Sequence, residues 1–252
     1  MTNVPFNDLS RIHKPIVEES LRDFKKVVLN SGFVLNDDIK GFENEYATFS
    51  GQNYAVSCAN GTDALEIILR ALNIGKNDEV IIPNNSFIAT AIAVTKAGAT
   101  PVFVDNDEYY LIDLLKIEKS ITPKTKAIIA VNLYGQMANL VEIKKLTNKY
   151  NLHLIEDAAQ SLGAMHSGKK VGTFGIAGSF SLHPLKSLSG AGDGGFICTN
   201  NSKIANYIYR LRNHGQKTRT NIAHFGFNSR LDNLQAALVN IKFKKFNSDV
   251  IK

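Results

Sequence analysis

Lys186 lies just past a short apolar run, in Ser179-Phe180-Ser181-Leu182-His183-Pro184-Leu185-Lys186-Ser187-Leu188, among small residues that lead into a glycine cluster. A lysine in that setting is a candidate Schiff-base nucleophile, although a lone lysine is ordinarily solvated. Upstream, Glu156-Asp157-Ala158-Ala159-Gln160 ends another apolar run with two carboxylates. Such an acid either caps a helix or, beyond the carboxyl end of a strand, holds a protonated ring nitrogen of a ligand. Further upstream, Ser57-Cys58-Ala59-Asn60-Gly61-Thr62-Asp63-Ala64-Leu65 reads as a strand ending in a small-residue turn that opens a helix. The free N–H groups of that first turn and the Thr62 hydroxyl suit a phosphate. The same residues also fit an ordinary N-cap by Asn60 or Thr62.

Each segment alone has a structural explanation. Together, and in this order, they supply a phosphate anchor, a carboxylate for a pyridine nitrogen and an amine for an aldehyde, which are the three things pyridoxal phosphate requires. Rival motifs fall away. Gly190-Ala191-Gly192-Asp193-Gly194-Gly195 matches G-x-G-x-x-G but precedes a strand, whereas a dinucleotide fingerprint follows one and opens a helix. The run 163–169 matches G-x-x-x-x-G-K, but Lys170 occupies the place of the required Ser or Thr. The six histidines have no metal-site spacing, so no metal is expected.

These segments must be positioned by a scaffold, and the pattern from about residue 54 supplies one. Apolar runs at 54–58, 79–82, 101–105, 127–131 and 152–156 alternate with helix-period stretches at 62–72, 86–96 and 141–150. Continuous apolar strands imply a sheet covered on both faces, and strand–helix alternation implies parallel βαβ units. Runs at 178–182 and 195–199 leave no room for a full helix between them, so adjacent or hairpin-like strands are expected. Before residue 54 the pattern gives an extended start and helices over 16–29 and 38–49. A long helix over 230–246 carries one stripe through Leu231, Leu234, Leu238, Ile241 and Lys242.

With 252 residues, 44% hydrophobic and 21% charged, the chain is neither disordered nor fibrous, and one large or two small domains are expected. The net charge of +6 comes from scattered lysines. The densest group, Lys242, Lys244 and Lys245, has helical spacing and reads as a solvated helix face rather than a nucleic-acid site. No run is long enough for a membrane helix, the N-terminus has no signal-peptide pattern, and two distant cysteines fit a reducing cytoplasm.

The sequence resembles the DegT/DnrJ/EryC1/StrS family of nucleotide-sugar aminotransferases, fold-type I pyridoxal phosphate enzymes. The resemblance is carried by Asn60-Gly61-Thr62-Asp63-Ala64-Leu65, Asp78-Glu79-Val80-Ile81-Ile82-Pro83, Leu133-Tyr134-Gly135-Gln136 and Glu156-Asp157-Ala158-Ala159-Gln160. His183-Pro184-Leu185-Lys186, Gly192-Asp193-Gly194-Gly195, Arg212-Asn213-His214-Gly215 and Asn228-Ser229-Arg230-Leu231-Asp232 continue it, from Val4 to about Phe246 in one order. It implies an α/β fold, the fold-type I large domain, with a mostly parallel mixed sheet flanked by helices. Residues 1–240 would form an N-terminal arm plus this cofactor-binding domain. Residues 241–252 would end the helix that leads, in the family, to a small C-terminal domain absent here, in a fragment or a truncated product.

By position, the resemblance makes Lys186 the Schiff-base lysine and proton carrier and pairs Asp157 with the pyridine nitrogen. Gln160 would approach the ring hydroxyl. Gly61, Thr62 and Ser181 would hold the phosphate of pyridoxal 5'-phosphate, with His183 lining the pocket. Phe87 would stack on the ring unless it is plain core. Asn228 would reach the phosphate of a neighbouring subunit, which implies a homodimer with shared active sites. The implied reaction moves an amino group from glutamate, which leaves as 2-oxoglutarate, to a nucleotide keto-sugar for amino-sugar and surface-polysaccharide synthesis in the cytoplasm. Two rival readings are a sugar dehydratase, whose family members commonly replace the lysine that Lys186 retains, and a truncated non-catalytic or regulatory member. Asn132 in place of a frequent His, and Asn36-Asp37-Asp38 in place of a Gly-Pro turn, depart from the family where they would bear on sugar recognition.

Overall fold

The apolar runs become the strands of one seven-stranded sheet in the computed structural model, which describes residues 4–250. A short helix α1 (Ser10–His13) and a single 3-10 turn lead into α2 (Val17–Leu29) and α3 (Asp37–Ser50). Then β1 (Tyr54–Cys58), α4 (Gly61–Ala71), β2 (Glu79–Pro83), α5 (Ala89–Ala97) and β3 (Thr100–Val104) alternate. They are followed by α6 (Leu114–Lys119), β4 (Thr125–Val131), α7 (Leu140–Lys149) and β5 (His153–Asp157). The small hairpin β6 (Met165–His166) and β7 (Lys169–Lys170) precedes β8 (Ala177–Ser181) and β9 (Gly195–Thr199). Helix α8 (Ser202–Leu211), the ribbon β10 (Gln216–Thr218) and β11 (Asn221–Ile222), and α9 (Asn233–Val250) follow.

The strand order is β1-β9-β8-β5-β4-β2-β3. Pairs β2–β3, β2–β4, β4–β5 and β5–β8 are parallel, while β9 is antiparallel to both β8 and β1. The sheet is thus mixed and mostly parallel, with β9 alone reversed. It carries the sidedness expected of a sheet covered on both faces, because successive residues of each strand feed opposite cores. Val80, Ile82, Ala127, Ile129 and Ile155 pack with α4, α5 and α8 on one face, whereas Ile81, Ile128, Ala130 and Leu154 pack towards α7 on the other. On that second face, α3 and α9 cover the β8–β9 end with an aromatic cluster of Phe42, Tyr46, Phe180, Phe196 and Phe243.

One polar network sits inside this apolar frame. Arg212, just past α8, pairs its Nη1 with Glu43 of α3 and donates to the Ser57 carbonyl (2.7 Å) and hydroxyl (2.9 Å) of β1. Glu43 Oε1 also accepts the Ser57 N–H at 2.8 Å. Three elements remote in sequence are tied at one buried point.

Three expectations need correction. Helix α8 was not foreseen, although Asn201 caps it through the Lys203 and Ile204 N–H groups and Ile204, Ala205, Ile208 and Leu211 line its buried face. Of the predicted stripe only Leu231 and Ile241 are buried. Leu231 precedes α9, Leu234 and Leu238 are half-buried, and Ala236, Ala237, Val239, Ile241 and Phe246 are the buried residues, because both α2 and α3 pack against it. Nor is Lys242 part of a solvated face: Lys244 and Lys245 are exposed, but Lys242 is half-buried and its Nζ donates to Ser189 O (2.8 Å) and Oγ (2.9 Å). The run 163–170 forms the β6–β7 hairpin, with Ser167 and Gly168 both left-handed (φ 49° and 75°) as a tight two-residue turn requires. Among the described residues no helix is long and apolar enough to cross a membrane.

Two stability measurements follow. Arg212→Ala strands the Glu43 carboxylate in the core and should cost about 3–5 kcal/mol in urea unfolding, whereas a loss under 1 kcal/mol would contradict the network. Burial pushes the Lys242 amine down to about 8 from 10.5. Between those values the unfolded chain binds a proton that the folded chain has released, so unfolding free energy should rise with pH across that window. Lys242→Met should lack the rise when urea midpoints are compared pH by pH.

Candidate active site

Parallel strands that end on the same side of a sheet leave a crevice beyond their carboxyl ends. Asp157 closes β5 there, flanked in register by Val131 of β4 and Ser179 of β8. Strand alternation sends the two adjacent carboxylates to opposite faces. Glu156, fully buried, accepts the N–H groups of Gly172 (2.7 Å), Phe174 (2.7 Å) and Gly175 (2.8 Å), and so holds the 172–175 loop. Burial raises its carboxyl pKa, and those three donors pull it back. Asp157 turns to the α5 side, where Thr90 Oγ1 donates to its Oδ2 (3.0 Å) and the Ala159 N–H to its Oδ1 (3.2 Å). Its pKa is likewise raised by burial and drawn down by these hydrogen bonds and by the Lys186 charge. Among the described residues it has no ion-pair partner, so one oriented acid is left for a cationic ligand atom.

At the end of β1 the chain enters α4. Asn60 is extended (φ −167°) and its Oδ1 accepts the Asp63 N–H at 2.8 Å, a proper N-cap. The cap and the anion site are therefore compatible: Asn60 satisfies Asp63, while the N–H groups of Gly61 and Thr62 have no intrahelical acceptor. Ser181, the last residue of β8, lies against this turn. A Cβ on Gly61 would come within 2.9 Å of the Ser181 Cβ, and one on Gly195 within 2.5 Å of the Asn60 carbonyl carbon. Only hydrogen at both positions lets two strands and a helix start meet here. Ser229 braces the turn, accepting the Ala59 N–H (3.1 Å) and donating to Asp63 Oδ2 (2.8 Å).

Lys186 is half-buried in the loop that leaves β8, with its N–H on the His183 carbonyl at 2.8 Å. His183 is exposed; its Nδ1 accepts the Leu185 N–H (3.3 Å) and its N–H donates to Ser181 Oγ (3.3 Å). Gln160 Oε1 accepts the N–H of Tyr134, which is left-handed at φ 57°. Phe87 is 71% exposed and is therefore not core. Asn132 is buried; it binds the Asp157 carbonyl through its N–H (3.0 Å) and the Ala138 N–H through Oδ1 (2.9 Å). Asn228 is exposed in a lone bridge with Asn213.

The fold thus sets Gly61 at the α4 start against Ser181, and the Lys186 charge draws down the Asp157 pKa. Nothing in the sequence points to the part played by Thr90, and Gly195 and Ser229 stand out there only as members of motifs, without the contacts they make here. An anion-binding turn, a buried carboxylate and an amine can hold a phosphorylated cationic ring that reacts with amines.

The model of the DegT/DnrJ/EryC1/StrS aminotransferase family matches residues 15–251. The UDP-N-acetyl-3-dehydro-alpha-D-glucosamine 3-aminotransferase of Acidithiobacillus ferrooxidans is 44% identical over 243 residues, 96% of this chain and 66% of that protein. The dTDP-3-amino-3,6-dideoxy-alpha-D-galactopyranose transaminase of Aneurinibacillus thermoaerophilus is 43% identical over 247 residues, 98% of this chain and 68% of that protein. Among solved structures, S. venezuelae DesV in complex with a ketimine intermediate superposes with a TM-score of 0.95 at 38% identity, over 98% of this chain and 67% of that one. The chain spans about two thirds of the length of the curated relatives it matches.

The packing at the α4 start is testable at Gly195. Gly195→Ala should cost about 1–3 kcal/mol by overpacking and weaken pyridoxal phosphate binding about tenfold or more, because it parts β9 from the α4 start. Thermal melts and a cofactor titration measure both; native affinity in the folded variant would contradict the close approach.

Proposed function

The chain belongs to the DegT/DnrJ/EryC1/StrS aminotransferase family, and on that footing we propose that it transfers an amino group to the carbonyl of a nucleotide keto-sugar, with pyridoxal 5'-phosphate as resident cofactor. The observation that carries the reading is Asp157: a buried, oriented carboxylate without an ion-pair partner among the described residues, within reach of the Lys186 charge. The residues present fit the cofactor. The α4 start with Thr62 and Ser181 offers donors to a phosphate in a space that a Cβ at Gly61 or Gly195 would fill.

When bound, the cofactor supplies a conjugated ring that takes up the electron pair left as the Cα–H bond of the amino donor breaks. Asp157 would keep the ring nitrogen protonated, its carboxylate held in place by Thr90 and the Ala159 N–H. The same contact relieves the burial that raises the Asp157 pKa, since a cation beside a buried carboxylate favours its charged form. Lys186 would be the amine that holds the cofactor, and its Nζ would carry the proton to and from the substrate carbon. Gln160 would meet the ring hydroxyl, the exposed Phe87 would cover a ring face and His183 would line the mouth. Glutamate is the amino donor and 2-oxoglutarate its product.

The active unit is a homodimer in which Asn228 reaches the phosphate bound by the neighbouring subunit; its exposure on this chain is what such a role needs. A cytoplasmic location goes with this reading, as both cysteines are buried free thiols. Retention of Lys186 favours transamination over dehydration.

Reduction with borohydride in the presence of pyridoxal phosphate should fix the cofactor to Lys186, and Lys186→Ala should abolish both the fixation and turnover. A cofactor peptide mapped elsewhere would sink the assignment. Asp157→Asn should still bind cofactor but slow the amino-donor half-reaction with glutamate roughly 100- to 10,000-fold in a stopped-flow measurement. Near-native rates there would overturn the role of the carboxylate.

A further inference from the structure

The glycine cluster that fails as a dinucleotide motif sits in the loop that carries Lys186, and the structure gives it a different purpose. Loop 183–194 leaves β8 and returns as β9. Its neck is closed by the Leu182 N–H on the Gly194 carbonyl and the Gly190 N–H on the Leu182 carbonyl, both 2.8 Å. The loop is then fastened to α9 at two points. Gln235 Oε1 accepts the Ala191 N–H at 2.7 Å, and Lys242 Nζ donates to Ser189 O and Oγ. Residues 235 and 242 lie two helical turns apart and so share a face of α9. The glycines make the approach possible: a Cβ on Gly190 would lie 2.7 Å from Gln235 Oε1, and one on Gly192 3.0 Å from Gln235 Nε2.

We propose that Gln235 and Lys242 are positioning residues for the reaction, which clamp loop 183–194 to α9 and thereby fix the backbone from which Lys186 reaches the site. The proposal rests on the reading of Lys186 as the cofactor-holding amine. Lysine has a flexible four-carbon stem, so its reactive nitrogen is only as well placed as the backbone beneath it. That backbone belongs to a loop whose outer residues, His183, Leu185 and Ser187, are exposed. Helix α9 is a firm anchor, held by Phe243 and Phe246 against Phe49 in the aromatic cluster. The chemistry of Lys242 argues for placement rather than bulk stability. Its ammonium has three donors, and Ser189 O, Ser189 Oγ and His13 Nε2 (2.9 Å) meet all three. None of the three is an anion, so a half-buried charge is kept here at an energetic cost that an apolar side chain would avoid. The His13 contact also links the N-terminal arm to the loop.

Hydrogen exchange and cofactor fixation test the clamp in the full chain. Lys242→Met and Gln235→Met should each speed exchange of the Leu182, Lys186 and Gly190 amides about tenfold, the scale of one lost hydrogen bond, and leave β4 and β5 amides as in the native chain. Both should slow borohydride-trapped attachment of pyridoxal phosphate to Lys186 by a similar factor, read by mass spectrometry. Gln235→Glu, which keeps an acceptor for Ala191, should restore both. Native exchange at Lys186 in the two methionine variants would overturn the proposal. So would a uniform increase that includes β4 and β5, which marks a role in global stability only. If the native chain acquires no cofactor on Lys186, the functional reading fails, and the exchange data still decide whether the clamp exists.

Discussion

A strand cannot point two neighbouring side chains the same way, and at the end of β5 that constraint divides the labour of two buried acids. Glu156 is turned down to accept three N–H groups of the 172–175 loop, so its charge is spent on structure. Asp157 is turned up, held by Thr90 and Ala159, and left without a counter-ion among the described residues. The loop that Glu156 secures packs under Gly178 of β8: a Cβ on Gly178 would lie 2.5 Å from the Gly172 Cα. The strand that delivers Ser181 and the Lys186 loop is thus seated by Glu156, the acid turned away from the crevice.

From that point outward the site is assembled by close approach. Gly61, Gly195 and Ser181 bring β8, β9 and the α4 start together, and Gly190 and Gly192 bring the Lys186 loop onto α9. Each approach gives up side-chain bulk so that two segments of backbone, or a backbone and a side chain, can meet. The Arg212–Glu43–Ser57 network holds β1, and with it the α4 start, from behind.

Much of this was legible in the sequence. The inner strands stood out because a strand buried on both faces leaves an unbroken apolar run, as in residues 127–131. The Asn60–Thr62, Asp157 and Lys186 segments stood out because their residue types do rare chemistry at strand ends. The order of strands and the reversal of β9 were not legible, since a short apolar run carries no direction. Helix α8 was legible and overlooked: its cap and its spacing of Ile204, Ile208 and Leu211 are plain. Lys242 was misread because helical spacing groups it with Lys244 and Lys245, and only the packing of α2 and α9 decides which lysine turns inward. Thr90 reaches Asp157, and Ser229 reaches Asp63, across long stretches of sequence, a property no local pattern carries.

The reversed strand has a consequence in time as well as space. In the finished sheet β1 is an edge strand whose one neighbour is β9, the last strand to join the sheet in chain order. During synthesis, at about 5–20 residues per second, β1 must wait on the order of ten seconds for its partner. Strands β2 to β5 can pair meanwhile, each finding a neighbour within reach of one crossover. The start of α4 hangs from β1, so that end of the candidate site is ordered last, by a contact of high sequence separation. In the nascent chain the Asp157 end of the crevice can thus form while the α4 start is still loose, and the two halves meet only as the sheet closes.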